Sequence, residues 1–143
     1  MDSIVITGMG AVTPVGVGVD AYWQNLLSGR CGIGEITQFD AADQPIRRAA
    51  EVHDFHPKDF MPTRLALDLE PYQQYAYAAA VEAFNQSGLT GSGRVGLVMG
   101  TALAGMNTIT RTQSRLAQGR SADPKLLTRC MGNLAACHFS IEH

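Results

Sequence analysis

Apolar residues fall along the chain in two patterns. Residues 3–7 and 94–101 are short runs rich in Val and Ile that end at or near Gly8 and Gly100. Unbroken β-branched runs of this length, bounded by glycine, predict buried strands. Elsewhere the apolar positions return at helical spacing. Residues 20–27 place Tyr22, Trp23, Leu26 and Leu27 on one face and stop before Gly29, as an amphipathic helix does. Residues 70–86 read as the clearest helix: Pro71 suits the first turn, Glu70 sits at the positive end of the dipole, and Ser87-Gly88 closes it. Residues 106–118 predict a polar-faced helix stopped by Gly119. A last helix opens at Pro124 and runs through Leu126, Leu127, Met131, Leu134, Ala135 and Phe139.

Residues 30–64 are mixed. Ile33, Ile36 and Phe39 are apolar anchors, residues 49–52 predict a short strand, and Pro57 opens a short helix. A connection of this length predicts an excursion packed over the core. Strands alternating with helices imply a layered α/β fold with mostly parallel strands. Two parallel strands are not a stable core, so the pattern calls for further strands. The final amphipathic stretch reaches His143 without a stop signal, and we read the chain as incomplete on its own.

Composition narrows this picture. A length of 143 residues predicts one domain. Apolar residues make up 45% and charged residues 17%, which excludes disorder and a free coiled coil and suggests a surface partly covered by another chain. Eleven basic against thirteen acidic residues give a formal charge of −2, no footprint for nucleic acid. No apolar run is long enough to span a membrane, and the N-terminus lacks the features of a signal peptide. Three cysteines are too few for a disulfide scaffold, which predicts a reducing, cytoplasmic setting.

Candidate chemistry is sparse. The loop from Gly8-Met9-Gly10 to Gly16 follows a strand and precedes a helix, but Thr13 stands where a dinucleotide fingerprint needs its third glycine. A structural turn is the better reading. His53 and His56 flank Asp54 without further ligands, which favours solvated loop histidines over zinc. Cys130 and Cys137 share one face of the last helix, lack an activating partner, and read as small buried hydrophobes.

Six stretches in order resemble the N-terminal part of the elongating β-ketoacyl-acyl carrier protein synthases, the ketosynthases of the thiolase superfamily. Ile4-Val5-Ile6-Thr7-Gly8-Met9-Gly10-Ala11-Val12-Thr13-Pro14-Val15-Gly16 resembles their opening motif. Tyr22-Trp23-Gln24-Asn25-Leu26-Leu27-Ser28-Gly29-Arg30-Cys31-Gly32-Ile33 is similar to W-x-x-L-L-x-G-x-S-G-I. Ala50-Glu51-Val52-His53-Asp54-Phe55 is similar to G-x-V-x-D-F, and Glu70-Pro71-Tyr72-Gln73-Gln74-Tyr75-Ala76 to M-D-x-F-x-Q-Y-A. Val95-Gly96-Leu97-Val98-Met99-Gly100-Thr101 resembles the G-V-x-x-G-T/S strand, and Asn133-Leu134-Ala135-Ala136 resembles N-x-x-A-G.

The resemblance implies the N-terminal part of a thiolase-like layered α/β/α/β/α fold over residues 1–143, ending before the nucleophile elbow. It implies decarboxylative Claisen condensation on phosphopantetheine-bound thioesters, with no metal or nucleotide cofactor. The nucleophilic cysteine, two histidines and lysine would lie further along, so this segment holds no catalytic residue. Implied partners are the remaining ketosynthase polypeptide, an acyl carrier protein, and a second ketosynthase-like subunit in a homodimer or heterodimer. A non-catalytic chain-length-factor partner is the alternative. By the same resemblance Thr101, Leu103, Ala104 and Met106 form an acyl-pocket or gating loop. Lys125, Leu126, Arg129, Met131 and Asn133 lie at the dimer interface and the partner's acyl tunnel. Ala102 and Ala104 stand where the family has glycines, and Lys125, Thr128 and Arg129 are polar departures.

Overall fold

A computed structural model describes residues 3–90 and 94–143. Two short antiparallel hairpins come first. β1 (Val12–Thr13) pairs with β2 (Gly16–Val17), and β3 (Ile33–Glu35) pairs with β4 (Arg48–Ala50) in the register Ile33↔Ala50, Gly34↔Ala49 and Glu35↔Arg48. α1 (Val19–Leu27) lies between them. A 3₁₀ turn at Pro57–Asp59 leads to α2 (Thr63–Asp68) and α3 (Pro71–Ser87). α4 (Met106–Ala117), α5 (Leu126–Cys130) and α6 (Leu134–Glu142) complete the described chain.

α3 is the hub, and the sequence shows why. Two of its faces are used. Tyr77 is buried and meets Phe139 of α6 edge-on at 5.8 Å between ring centres, and Phe84 meets the same ring at 5.8 Å. Met61, Leu69, Tyr77 and Phe139 form the buried core, with Phe55, Phe60 and Leu97 packed against it. On another face, Ala79 and Ala83 let the backbone of the glycine loop approach. A Cβ on Gly8 would collide with the Ala83 carbonyl, and one on Gly10 with the Ala79 carbonyl. The loop's amide groups are met by α3 side chains. Gln86 Oε1 accepts from Met9 N at 2.6 Å, and Glu82 accepts from Ala11 N at 2.9 Å and from Val19 N, at the start of α1, at 2.8 Å. The loop is thus a structural turn, as the missing third glycine implied.

Several expectations change. Among the described residues the ladders are the two hairpins only. Residues 3–7 and 94–101 form no ladder, and Ile4, Val5, Ile6, Val95 and Val98 are exposed. β-branched composition favours a strand but does not supply its hydrogen-bond partner. Neither run finds that partner here; Leu97 alone of the apolar residues in the second run packs on the core. No residue of α1 is buried, and Trp23, Leu26 and Leu27 are exposed rather than packed on a core. The expected single last helix is broken between α5 and α6, where Met131 takes an extended conformation. With the break, Cys130 and Cys137 do not share a helix face, and Cys137 is exposed while Cys130 is half-buried. The strand expected at residues 49–52 is β4, which starts one residue earlier and ends two earlier; its partner β3, the β1–β2 hairpin and α2 were not predicted.

Glu51, just beyond β4, holds the 30–64 excursion together. Its buried carboxylate accepts from the Thr37 hydroxyl at 2.7 Å, Thr37 N at 3.0 Å and Gln38 N at 3.4 Å. The Thr37 hydroxyl above all holds its pKa below the ordinary 4.5, against the opposing effect of burial. A carboxyl that ionises more readily when folded stabilises the protein above its unfolded pKa and loses that contribution as pH falls through the folded value. Glu51→Gln is therefore expected to flatten the fall of the melting midpoint below about pH 4.5. An unchanged acid limb in the variant would refute this. His53 stands 4.0 Å from Glu51 and is exposed, as is His56. Among the described residues no three metal-ligating groups converge.

Candidate functional site

The loop of residues 101–106 and the stretch of residues 125–133, distant in sequence, meet in the structure. A Cβ on Gly132 would lie 3.0 Å from Thr101 Cγ2 and 3.8 Å from Ala104 Cβ. Gly105, at φ +66°, presses against α5: a Cβ there would fall 2.5 Å from Cys130 Cα and 2.7 Å from the Arg129 carbonyl. Both the left-handed backbone and the lack of space demand glycine. Cys130 Sγ donates to the Gly105 carbonyl at 3.7 Å, and burial raises its pKa, with Glu70 and Asp123 adding to the effect. A thiol held in its protonated form is a packing group rather than a nucleophile.

The loop borders a cavity of about 250 Å³ whose walls include Tyr72, Tyr75, Leu103 and Met106. Leu103 and Met106 are exposed, Ala104 is half-buried, and Thr101 Oγ1 donates to the Leu103 carbonyl at 3.2 Å. Burial raises the pKa of both tyrosines. α4, which begins at Met106, turns Thr108 and Thr112 inward and leaves Met106, Ile109 and Leu116 exposed. Its apolar side therefore faces away from this chain's own core.

The polar residues of the 125–133 stretch have intramolecular partners. Arg129 is mostly covered, and its guanidinium donates to Leu67 O at 2.9 Å and Asp68 O at 3.2 Å while pairing with Asp123 at 3.4 Å. These carbonyls belong to the open C-terminal end of α2, where a cation is favoured. Lys125 pairs with the Asp68 carboxylate, whose pKa is lowered chiefly by that hydrogen bond. Leu126 is half-buried; Met131 and Asn133 are exposed, and the Asn133 carbonyl starts α6 by accepting from Cys137 N at 3.1 Å. Arg129→Ala removes three acceptor contacts from a mostly covered group and is expected to cost about 1–3 kcal/mol. Arg129→Lys should recover little, since an ammonium cannot span two carbonyls and a carboxylate as a planar fork does. Equal melting midpoints for wild type and Arg129→Ala would contradict this.

Two residues that tie the start of α4 to α5, Glu70 and Gln73, were not singled out as functional in the sequence. The signal was present as Glu70-x-x-Gln73, a capping-box spacing at the start of a helix.

A family model described as "Beta-ketoacyl synthase, N-terminal domain" matches residues 1–143, the entire chain. The chain belongs to the beta-ketoacyl synthase family. It is 34% identical over 139 residues to a 3-oxoacyl-[acyl-carrier-protein] synthase 2 of Synechocystis sp., covering 93% of this chain and 33% of that protein. A 3-oxoacyl-[acyl-carrier-protein] synthase 2 of Coxiella burnetii is 34% identical over 146 residues, covering 98% of this chain and 35% of that protein. Among solved structures, the ishigamide ketosynthase/chain length factor superposes with a TM-score of 0.79 at 30% identity, over 96% of this chain and 36% of that one. This beta-ketoacyl synthase chain thus spans about a third of the length of the relatives it matches. Its fold is the N-terminal part of the layered ketosynthase fold, as the six motifs implied.

Proposed function

We infer that the chain is the N-terminal part of a ketosynthase catalysing decarboxylative Claisen condensation of an acyl thioester with malonyl-carrier protein. The observation that carries this is the family match across all 143 residues, joined to the convergence of the 101–106 loop on the 125–133 stretch. In the proposed reaction an acyl group passes from carrier-protein thioester to a cysteine thiolate of the whole protein, freeing the carrier thiol. Malonyl thioester then loses carbon dioxide, and its carbanion attacks the enzyme-bound acyl carbonyl. The cysteine leaves, and a 3-oxoacyl thioester remains on the carrier. Hydrogen-bond donors stabilise the oxyanion. The nucleophile, histidines and lysine come from the rest of the polypeptide, and the reaction draws on phosphopantetheine thioesters without a metal or nucleotide.

In this reading Thr101, Leu103, Ala104 and Met106 border the acyl pocket. Lys125, Leu126, Arg129, Met131 and Asn133 lie by the subunit interface, with Lys125, Met131 and Asn133 exposed. The exposed apolar residues of α1 and of residues 3–7 and 94–101 are covered by the remaining polypeptide, and the exposed side of α4 by a second ketosynthase-like subunit. Among the described residues no helix is long and apolar enough to cross a membrane, which is compatible with a cytoplasmic enzyme.

A second reading is a non-catalytic partner subunit. It is favoured by the likeness to a ketosynthase/chain length factor at 30% identity. The deciding experiment incubates the whole protein with acyl- and malonyl-carrier protein and follows the 3-oxoacyl product by mass spectrometry. Product from this protein alone supports the enzyme. Product only after a second ketosynthase subunit is added, and abolished when that subunit's nucleophilic cysteine is replaced, supports the partner. No product under either condition sinks both.

A further inference from the structure

The N-terminus of α4 lacks a local cap. Gly105 occupies the cap position and offers no side chain, because α5 leaves no room for one. The orphan amide at Thr108 is met instead from another helix: Glu70 Oε1 accepts from Thr108 N at 2.5 Å. The same carboxylate accepts the Gln73 amide in the capping box that starts α3. One buried carboxylate therefore caps two helices.

Gln73 completes the other arm. It is fully buried; its Oε1 accepts from Glu70 N at 2.9 Å, and its Nε2 donates to Thr128 O of α5 at 3.2 Å. Tyr72 adds a hydroxyl within 3.2 Å of Arg129 O and 3.1 Å of Met131 O. The first turn of α3 thus grips α4 through Glu70 and α5 through Gln73, and the two grips bond to each other.

We propose that Glu70 and Gln73 are positioning residues that hold the start of α4, where the 101–106 loop ends, and α5 as one rigid unit, and so set the acyl length accepted by the cavity that the loop borders. This rests on the pocket reading given above. Gln73 is fully buried and Glu70 nearly so, and each acts through the backbone it fixes.

The test uses the whole protein, with any subunit it requires, and the variants Glu70→Gln and Gln73→Met. Glu70→Gln keeps the shape and one oxygen acceptor, and Gln73→Met keeps the length while losing both hydrogen bonds. Hydrogen exchange read by mass spectrometry is one arm. Each variant is expected to speed exchange roughly tenfold in the segment it does not touch: α5 for Glu70→Gln, and Thr108 with its neighbours for Gln73→Met. The other arm is the distribution of acyl lengths among products. The ratio of the two longest is expected to move by about tenfold, the scale on which a hydrophobic pocket separates one methylene from none. Exchange that rises only in the contacted segment overturns the coupling. Cross-effects with an unchanged length distribution overturn the specificity role and leave a purely structural one. A wild-type protein that forms no product refutes the functional reading, and the exchange arm still decides whether the two segments are coupled.

Discussion

Replacing Gly10 with valine is expected to destabilise the whole protein by about 3 kcal/mol, near the upper end of what overpacking costs. The reason is geometric. Gly8 and Gly10 are two residues apart, a reach of at most about 7 Å. Ala79 and Ala83 are one helical turn apart on α3, a rise of about 6 Å. The spacings match, so each glycine sits over one alanine carbonyl with no room for a Cβ. The obstructing atoms are backbone and cannot rotate away. Shifting the loop outward would also break the bonds from Met9, Ala11 and Val19 to Gln86 and Glu82. Gly34→Ala is the control, because nothing lies within 4 Å of a Cβ built there. The measurement is the urea midpoint of each variant. A Gly10→Val protein as stable as the Gly34→Ala control would refute the packing account.

Phe139→Ala is expected to cost about 3–5 kcal/mol, the range for deleting a buried ring. Phe139 is 6% exposed and touches the rings of Tyr77 and Phe84 edge-on, with His143 stacked at 4.5 Å. It is the one buried aromatic that α6 contributes to the core on α3. Removing it leaves a void against Tyr77 that the stiff α3 backbone cannot fill. Phe139→Leu retains most of the apolar volume and should lose clearly less. If the two variants melt together, restoring apolar volume recovers nothing and the cavity account fails.

The neutral reading of the glycine loop was available from one residue. Thr13 stands where a phosphate-binding loop needs glycine, and the structure pairs Thr13 with Gly16 in a hairpin instead. What the pattern could not supply was the surface the glycines meet, because Ala79 and Ala83 are some seventy residues away in sequence. The same holds for the candidate site. Gly105 and Glu70-x-x-Gln73 are each recognisable as capping elements. That Glu70 caps a helix other than its own depends on a contact across 38 positions. Lys125 and Arg129 stood out only as polar departures in an apolar stretch, and the acceptors that accommodate them, Asp68 and the end of α2, belong to an element the pattern did not predict.

By itself the sequence determined α1, α3 and α4 to within a residue or two, their glycine stops, and membership of the family through six ordered motifs. These are local properties: helical spacing, caps and turn residues act over a few positions and need no distant partner. Tertiary structure alone decided the rest. The apolar runs at residues 3–7 and 94–101 remain without a ladder because β propensity cannot create the strand that must lie beside them. The last helix breaks at Met131, and the carbonyls of Thr128, Arg129 and Met131 there accept from Gln73 and Tyr72. An element whose hydrogen bonds are completed by another part of the chain is invisible to a reading of its own residues, and the site is built from such elements.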